Sequence, residues 1–251
     1  MVNWSDLTRE LDMWAKEGRA ATFWWRDDDA VEVTPALEKL FQIADEAETP
    51  LSLAVIPGIL RPELVSYVNA RTTTDVLQHG YMHVNHAPPG CKDSEFGEER
   101  NTEGCLEELA LGFGLLEGFH NLLPVLVPPW NRIDGNLVEN LPGIGFLGIS
   151  TFTPRRAKND HSGLMYVNTH VDIVDWTRQR RFLGKSGVLQ QVLNHLTARR
   201  SKSADPAEPT GLLTHHLVHG ESSWGFIRKF LKVTKAHRAV RWLGPKEAFG
   251  F

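Results

Sequence analysis

Short apolar runs alternate with stretches of helical spacing along this chain, and the residues capable of chemistry fall where the runs stop. Residues 22–26, 51–56, 76–78, 125–127, 147–150, 166–172 and 212–214 read as strands. Residues 35–47, 62–69, 102–116, 186–200 and 224–237 read as helices, the first with Thr34 placed to cap it and Pro35 in its opening turn. Strand–helix repetition implies a parallel sheet, either open or closed into a barrel. The polar residues decide between these: Asp27, Asp28 and Asp29, then His79, residues 128–132, Asp172 with Asp175, and His215 all stand at C-terminal strand ends. A barrel gathers such residues on one face, whereas a doubly wound sheet gathers them only at its switch point. The expected fold is therefore α/β.

The most informative pairing is Asp27-Asp28-Asp29 with His79 and His83. Two histidines four apart can present both imidazoles to one point from a single helical turn. A carboxylate from elsewhere completes a two-His-one-Asp set that leaves a position open, as catalytic metal sites do and structural ones do not. Taken singly, an aspartate run more often belongs to turns and caps. Together with the histidines it argues for a metal-assisted hydrolase.

At 251 residues, 41% apolar and 23% charged, the chain has the makings of one globular α/β domain spanning 1–251. It has no eighteen-residue apolar stretch, so no membrane partner is expected. Residues 1–20 read as an amphipathic helix packed on the domain through Trp4, Leu7, Leu11 and Trp14, without the basic start of a signal peptide. Cys91 and Cys105 are too few for a disulfide framework, and a cytoplasmic location is expected. The net charge of −4 conceals an acidic excess in 1–175 and a basic excess in 176–251. No nucleic-acid motif accompanies the basic part, so the two parts are expected to pack together rather than bind nucleic acid. Glu95 and Arg100 lie in a loop, 94–100, that reads as solvated and acidic. Oligomeric state leaves no mark in the sequence.

The order of the motifs resembles the polysaccharide deacetylase family (carbohydrate esterase family 4, the NodB-homology superfamily). The matching residues are Asp27-Asp28-Asp29, His79-Gly80-Tyr81-Met82-His83, Pro128-Pro129-Trp130, Asp175-Trp176 and Leu213-Thr214-His215. The resemblance implies a distorted, incomplete parallel (β/α)7-type barrel and hydrolysis of an N-acetyl, or sometimes O-acetyl, group on a sugar or oligosaccharide. It implies a divalent metal on Asp29, His79 and His83, with Zn²⁺ the first candidate and Co²⁺, Ni²⁺, Mn²⁺ or Fe²⁺ as others. Asp28 is then the base and His215 the acid, while Trp130, Asp175 and Trp176 line the substrate site. The aspartate register leaves Asp27 and Asp28 able to exchange roles, and His216 is the alternative to His215. The family often carries Arg just before Pro-Pro to steady the base. This chain has Val127 there, and Arg132 is the cation expected to serve instead.

Overall fold

The computed structural model describes residues 1–156, 158, 163–178 and 180–251. In chain order the elements are α1 (Trp4–Lys16), β1 (Ala21–Ala30), α2 (Pro35–Glu46), β2 (Leu51–Val55), α3 (Pro62–Asn69), β3 (Thr74–His79), α4 (Thr102–Leu116), β4 (Leu122–Val127), α5 (Gly135–Asn140) and β5 (Gly148–Ile149). They continue as β6 (Met165–Tyr166), β7 (Val171–Asp172), β8 (Val174–Asp175), β9 (Arg181–Phe182), α6 (Lys185–Arg200), β10 (Thr210–Thr214), α7 (Glu221–Lys235), β11 (Val240–Trp242) and α8 (Pro245–Phe249).

Eight strands lie in the order β6-β5-β4-β3-β2-β1-β10-β7, every neighbour parallel, with β11 added beside the start of β1. The sheet curls into a half-barrel, and β6 and β7, at its two ends, are not paired with each other. Residues 166–172, expected as one strand, divide between these ends: β6 joins β5 and β7 joins β10. One apolar stretch cannot pair on both sides of the opening at once. Its middle is instead tied down by Asn168, whose Oδ1 accepts from Thr151 N at 2.9 Å.

Period-two alternation sorts the side chains of β1 between two cores. Trp24 is fully buried in the lumen with Ala54, Leu77, Val125, Val127 and Phe249. Phe23 and Trp25 face the helix layer. Phe249 of α8 meets Trp24 edge-on at 6.0 Å, so the last helix supplies a plug for the lumen. On the outside, α1 begins at an Asn3 capping box and buries Leu7, Leu11 and Trp14. It is clamped to α6 by Arg200, whose Nε and Nη2 reach Glu10 at 2.7 and 3.1 Å. Arg228–Glu46 at 3.3 Å and Lys246–Asp75 at 3.3 Å likewise join the basic end of the chain to its acidic part. No helix among the described residues is long and apolar enough to cross a membrane.

A second buried polar cluster joins α6 to the segments before β7 and β10. His170 and His195 stack at 3.4 Å with an interplanar angle of 11°, beside the fully buried Glu208. Burial, then neighbouring positive charge, holds His195 down to about 2 and His170 well below its ordinary value. Burial pushes Glu208 up to about 7. The unfolded chain regains two protons on the imidazoles as pH falls below about 6.5, while the folded chain gains one on Glu208. The unfolded state therefore binds about one proton more, and stability falls on acidification by about 1 kcal/mol per pH unit. Urea unfolding from pH 6.5 to 5 is expected to show a flatter pH dependence for His195→Gln than for the parent chain. Equal slopes would mean that the imidazole is not held neutral.

Candidate active site

Alternation carries Arg26 and Asp28 to the same side of β1 as Trp24, and Asp27 to the other. Asp27 is fully buried and accepts from Thr214 Oγ1 at 2.6 Å, His216 N at 3.1 Å and His216 Nδ1 at 2.5 Å. Uninterrupted alternation would turn Asp29 the same way as Asp27. Instead, the β1–β2 register shifts between Asp27 and Ala30, and Asp29 adopts φ +72°. Such a bulge re-aims one side chain, and Asp tolerates the left-handed region better than most residues. Asp28 and Asp29, adjacent in sequence, thereby face the same site.

Asp28 is gripped by Arg26, two residues upstream on the same face. Arg26 Nε lies 2.8 Å from Oδ1, and Nη2 donates to Oδ2 at 3.0 Å. The guanidinium also donates to Ser150 Oγ at 2.6 Å and to Asn131 Oδ1 at 2.7 Å. Arg132, expected to steady this carboxylate, does not pair with it: its Nη1 donates to the Asp93 carbonyl at 2.8 Å. The physical reason lies in the turn. Trp130 and Asn131 are both left-handed (φ +53° and +57°), which brings Asn131 onto Arg26 and sends Arg132 elsewhere. The same turn sets the Trp130 ring 4.3 Å from the His83 ring.

His79 ends β3 and donates from Nδ1 to the Val127 carbonyl at 2.9 Å, which leaves Nε2 facing Asp29 Oδ1 at 3.1 Å. His83 Nε2 lies 3.4 Å from the same oxygen. The two histidines do not share a helical turn as the spacing allows. Gly80 (φ +59°) and His83 (φ +56°) turn the chain in a non-helical loop. Burial opposes ionisation of Asp29, but the His79 hydrogen bond and the charges of His79, His215 and His83 outweigh it and hold the carboxyl well below its usual range. Burial likewise opposes charge on His79, yet Asp28 and Asp29 raise it above an ordinary histidine. His83 is lowered, by burial and then by the charge of His79. Two imidazole nitrogens converging on one carboxylate oxygen form a seat for a cation, and this N₂O donor set fits a divalent metal with open positions.

His215 follows β10 and is 8% exposed, with the Trp176 ring edge-on to it at 4.7 Å. Its Nδ1 is buried and has no partner among the described residues. The carboxylate close by is Asp172, not Asp175. Asp172 accepts from Val174 N at 2.8 Å and Trp176 Nε1 at 2.7 Å, and burial raises it despite the charge of His215. Asp175, expected to face substrate, caps its own turn instead, accepting from Thr177 N at 3.0 Å and Oγ1 at 2.6 Å. His216 is committed to Asp27 on the far side of β1. Arg26, Asn131 and Asp172 thus stand at the site, although the sequence reading, which placed Asp172 and residues 128–132 at strand ends, gave none of the three a role. Period two along β1 was the signal that could have picked out Arg26.

The His170–His195–Glu208 cluster has metal-ligand residue types but the wrong geometry. Nearly parallel stacked rings aim their in-plane lone pairs alongside one another rather than at one point. His170 Nδ1 accepts from Gly211 N at 3.0 Å, which leaves the proton on Nε2, where a ligand would need a lone pair.

No protein-family profile matches the sequence, and no curated protein matches it. Solved structures do match. One, described as a polysaccharide deacetylase from Mycobacterium smegmatis, superposes with a TM-score of 0.65 and 16% identity over 92% of this chain and 90% of that one. The peptidoglycan N-acetylglucosamine deacetylase Bc1960 superposes with a TM-score of 0.57 and 15% identity over 95% and 96%. A pseudoenzyme of carbohydrate esterase family 4 from Bacillus anthracis gives a TM-score of 0.57 and 12% identity over 92% and 66%. The chain has the polysaccharide deacetylase fold, an incomplete α/β barrel.

Removing the guanidinium strands a buried carboxylate, which costs about 3–5 kcal/mol when one partner of a buried pair is lost. Arg26→Met is expected to lower unfolding stability by that amount in urea titration, and Arg26→Met with Asp28→Asn by clearly less. Equal losses in the two variants would mean that the ion pair is not the source of the effect.

Proposed function

We propose that this protein is a divalent-metal-dependent hydrolase that removes an N-acetyl group from a carbohydrate. The reading rests above all on the neighbouring carboxylates Asp28 and Asp29, which face one site in two different environments. Asp29 converges with His79 and His83, while Asp28 is held by Arg26. The likeness of the fold to deacetylases that act on acetylated sugar polymers supports the same reading.

Asp29, His79 and His83 hold the metal, with Zn²⁺ the first candidate for two imidazoles and a carboxylate. When bound, a divalent ion there acidifies water and polarises an acyl oxygen. Asp28 accepts the proton of the attacking water, and Arg26 with Asn131 fixes the carboxylate in place for it. His215 delivers a proton to the sugar nitrogen as the C–N bond breaks, so that acetate and a free amine leave. Trp130, beside His83, and Trp176, 44% exposed beside His215, offer apolar faces to a pyranose ring.

One observation favours a second reading, that of a carbohydrate-binding protein that has lost turnover. Among the described residues His215 Nδ1 has no partner to orient it, and the nearby Asp172 accepts from Val174 and Trp176 instead. Elemental analysis of protein purified without chelator is expected to give about one divalent ion per chain, and none in His79→Ala/His83→Ala. Acetate release from N-acetylated sugar oligomers is expected to fall about 10²–10⁴-fold in Asp28→Asn, the usual contribution of a general base. Metal and sugar binding without acetate release from any acetylated sugar would establish the second reading.

A further inference from the structure

The loop that carries His83 owes its shape to a residue twelve positions downstream. Glu95 was expected in a solvated acidic loop, yet it is 1% exposed. Its Oε1 accepts from Met82 N at 2.7 Å and His83 N at 3.0 Å, and its Oε2 accepts from Tyr81 N at 3.1 Å. Gly80 N is taken by the Val127 carbonyl at 3.1 Å, so the amides from 80 to 83 are all accounted for, three of them by one carboxylate. Successive amides converging on an anion form a nest, whose geometry depends on left-handed residues such as Gly80 and His83. A Cβ at position 80 would stand 2.1 Å from Glu95 Oε2 and 2.6 Å from Pro129, so the carboxylate fills space that only glycine leaves. Among the described residues no lysine or arginine pairs with this carboxylate. Arg100 donates to the Glu95 carbonyl instead, and is itself held by Glu108 at 2.8 and 2.7 Å.

We propose that Glu95 is a positioning residue for the metal-binding His83, its carboxylate acting as an internal anion that locks the loop amides so that His83 Nε2 meets Asp29. The inference rests on the metal-binding reading of Asp29, His79 and His83. Asp29 comes from β1 and His79 from the end of β3, both fixed by strand pairing. His83 has no ladder to hold it. Among the described residues its backbone N–H is bound by Glu95, and its ring packs against Trp130 and His79 and reaches Asp29. Glutamine in place of Glu95 would set an NH₂ group against amide donors and remove the charge that three of them share.

The test is titration of the metal-free full-length protein with Co²⁺, followed by visible absorption and calorimetry, with circular dichroism as the check on folding. Glu95→Gln is expected to bind Co²⁺ about 10–100-fold more weakly, the usual loss when a partner behind a ligand is removed. Glu95→Asp, which keeps the charge but is one methylene shorter, is expected to fall between. Added to His83→Ala, at millimolar Co²⁺, Glu95→Gln is expected to cause no further loss, because its effect passes through His83. Unchanged affinity in Glu95→Gln, or the same fold-loss with and without His83, overturns the proposal in favour of a purely structural role. Should Glu95→Gln fail to fold, Glu95→Asp carried through the same cycle decides. Failure of the parent protein to bind Co²⁺ overturns the metal reading itself, and this inference with it.

Discussion

Everything at the site follows from a single irregularity in β1, the bulge that turns Asp29 back to the side where Asp28 already points. A flat strand offers alternate residues to alternate faces, so it cannot present two consecutive carboxylates to one centre. The left-handed φ at Asp29 and the shifted pairing with β2 lift that restriction locally. The result is two acids a peptide bond apart with different neighbours: one against imidazoles, one against a guanidinium. Chemistry that separates a ligand role from a proton-accepting role needs that difference in surroundings more than it needs any particular distance.

The guanidinium is itself an unusual solution. A charge pair this deeply buried is unfavourable to desolvate and is sustained only when its remaining hydrogen-bonding groups are satisfied. Ser150, from beyond β5, and Asn131, from the turn after β4, meet that demand. The two left-handed residues of that turn serve both ends of the site, since one supplies Asn131 to the arginine and the other packs Trp130 on His83. Strain at functional loops is tolerated where surrounding structure over-determines it, and both residues here are fixed by their contacts.

Much of this was legible in the sequence, and the failures have physical causes. The helices at Pro62–Asn69 and Thr102–Leu116 have the bounds that periodicity gives, and Thr34 caps α2 as its type and position imply. β11 and α8, three and five residues long, are too short for periodicity to register, although α8 supplies the lumen plug. The bulge was invisible because it depends on register against β2, a non-local property. Spacing of four between His79 and His83 is equally compatible with a helix and with a loop. Only the partners of Gly80 and the following amides distinguish them. Arg132 was chosen for its nearness to the Pro-Pro turn, whereas the period of two along β1 favoured Arg26. Asp175 was preferred to Asp172 because it precedes the tryptophan, but a carboxylate two residues before a Thr is readily spent on its own turn.

The position of β1 in the sheet has a consequence for biogenesis. Its partners are β2, close by in sequence, and β10 and β11, far along the chain. Contacts between such distant segments are slow to form, because a long loop must close before they are rewarded. In a chain emerging from the ribosome, the strand that carries Trp24, Arg26 and the aspartates therefore keeps one open edge until β10 has been made. His215 reaches the site on β10, and Phe249 fills the lumen from α8, so both arrive long after the aspartates of β1. Loss of β10 would therefore open the sheet beside β1 and strand β7 from the other strands.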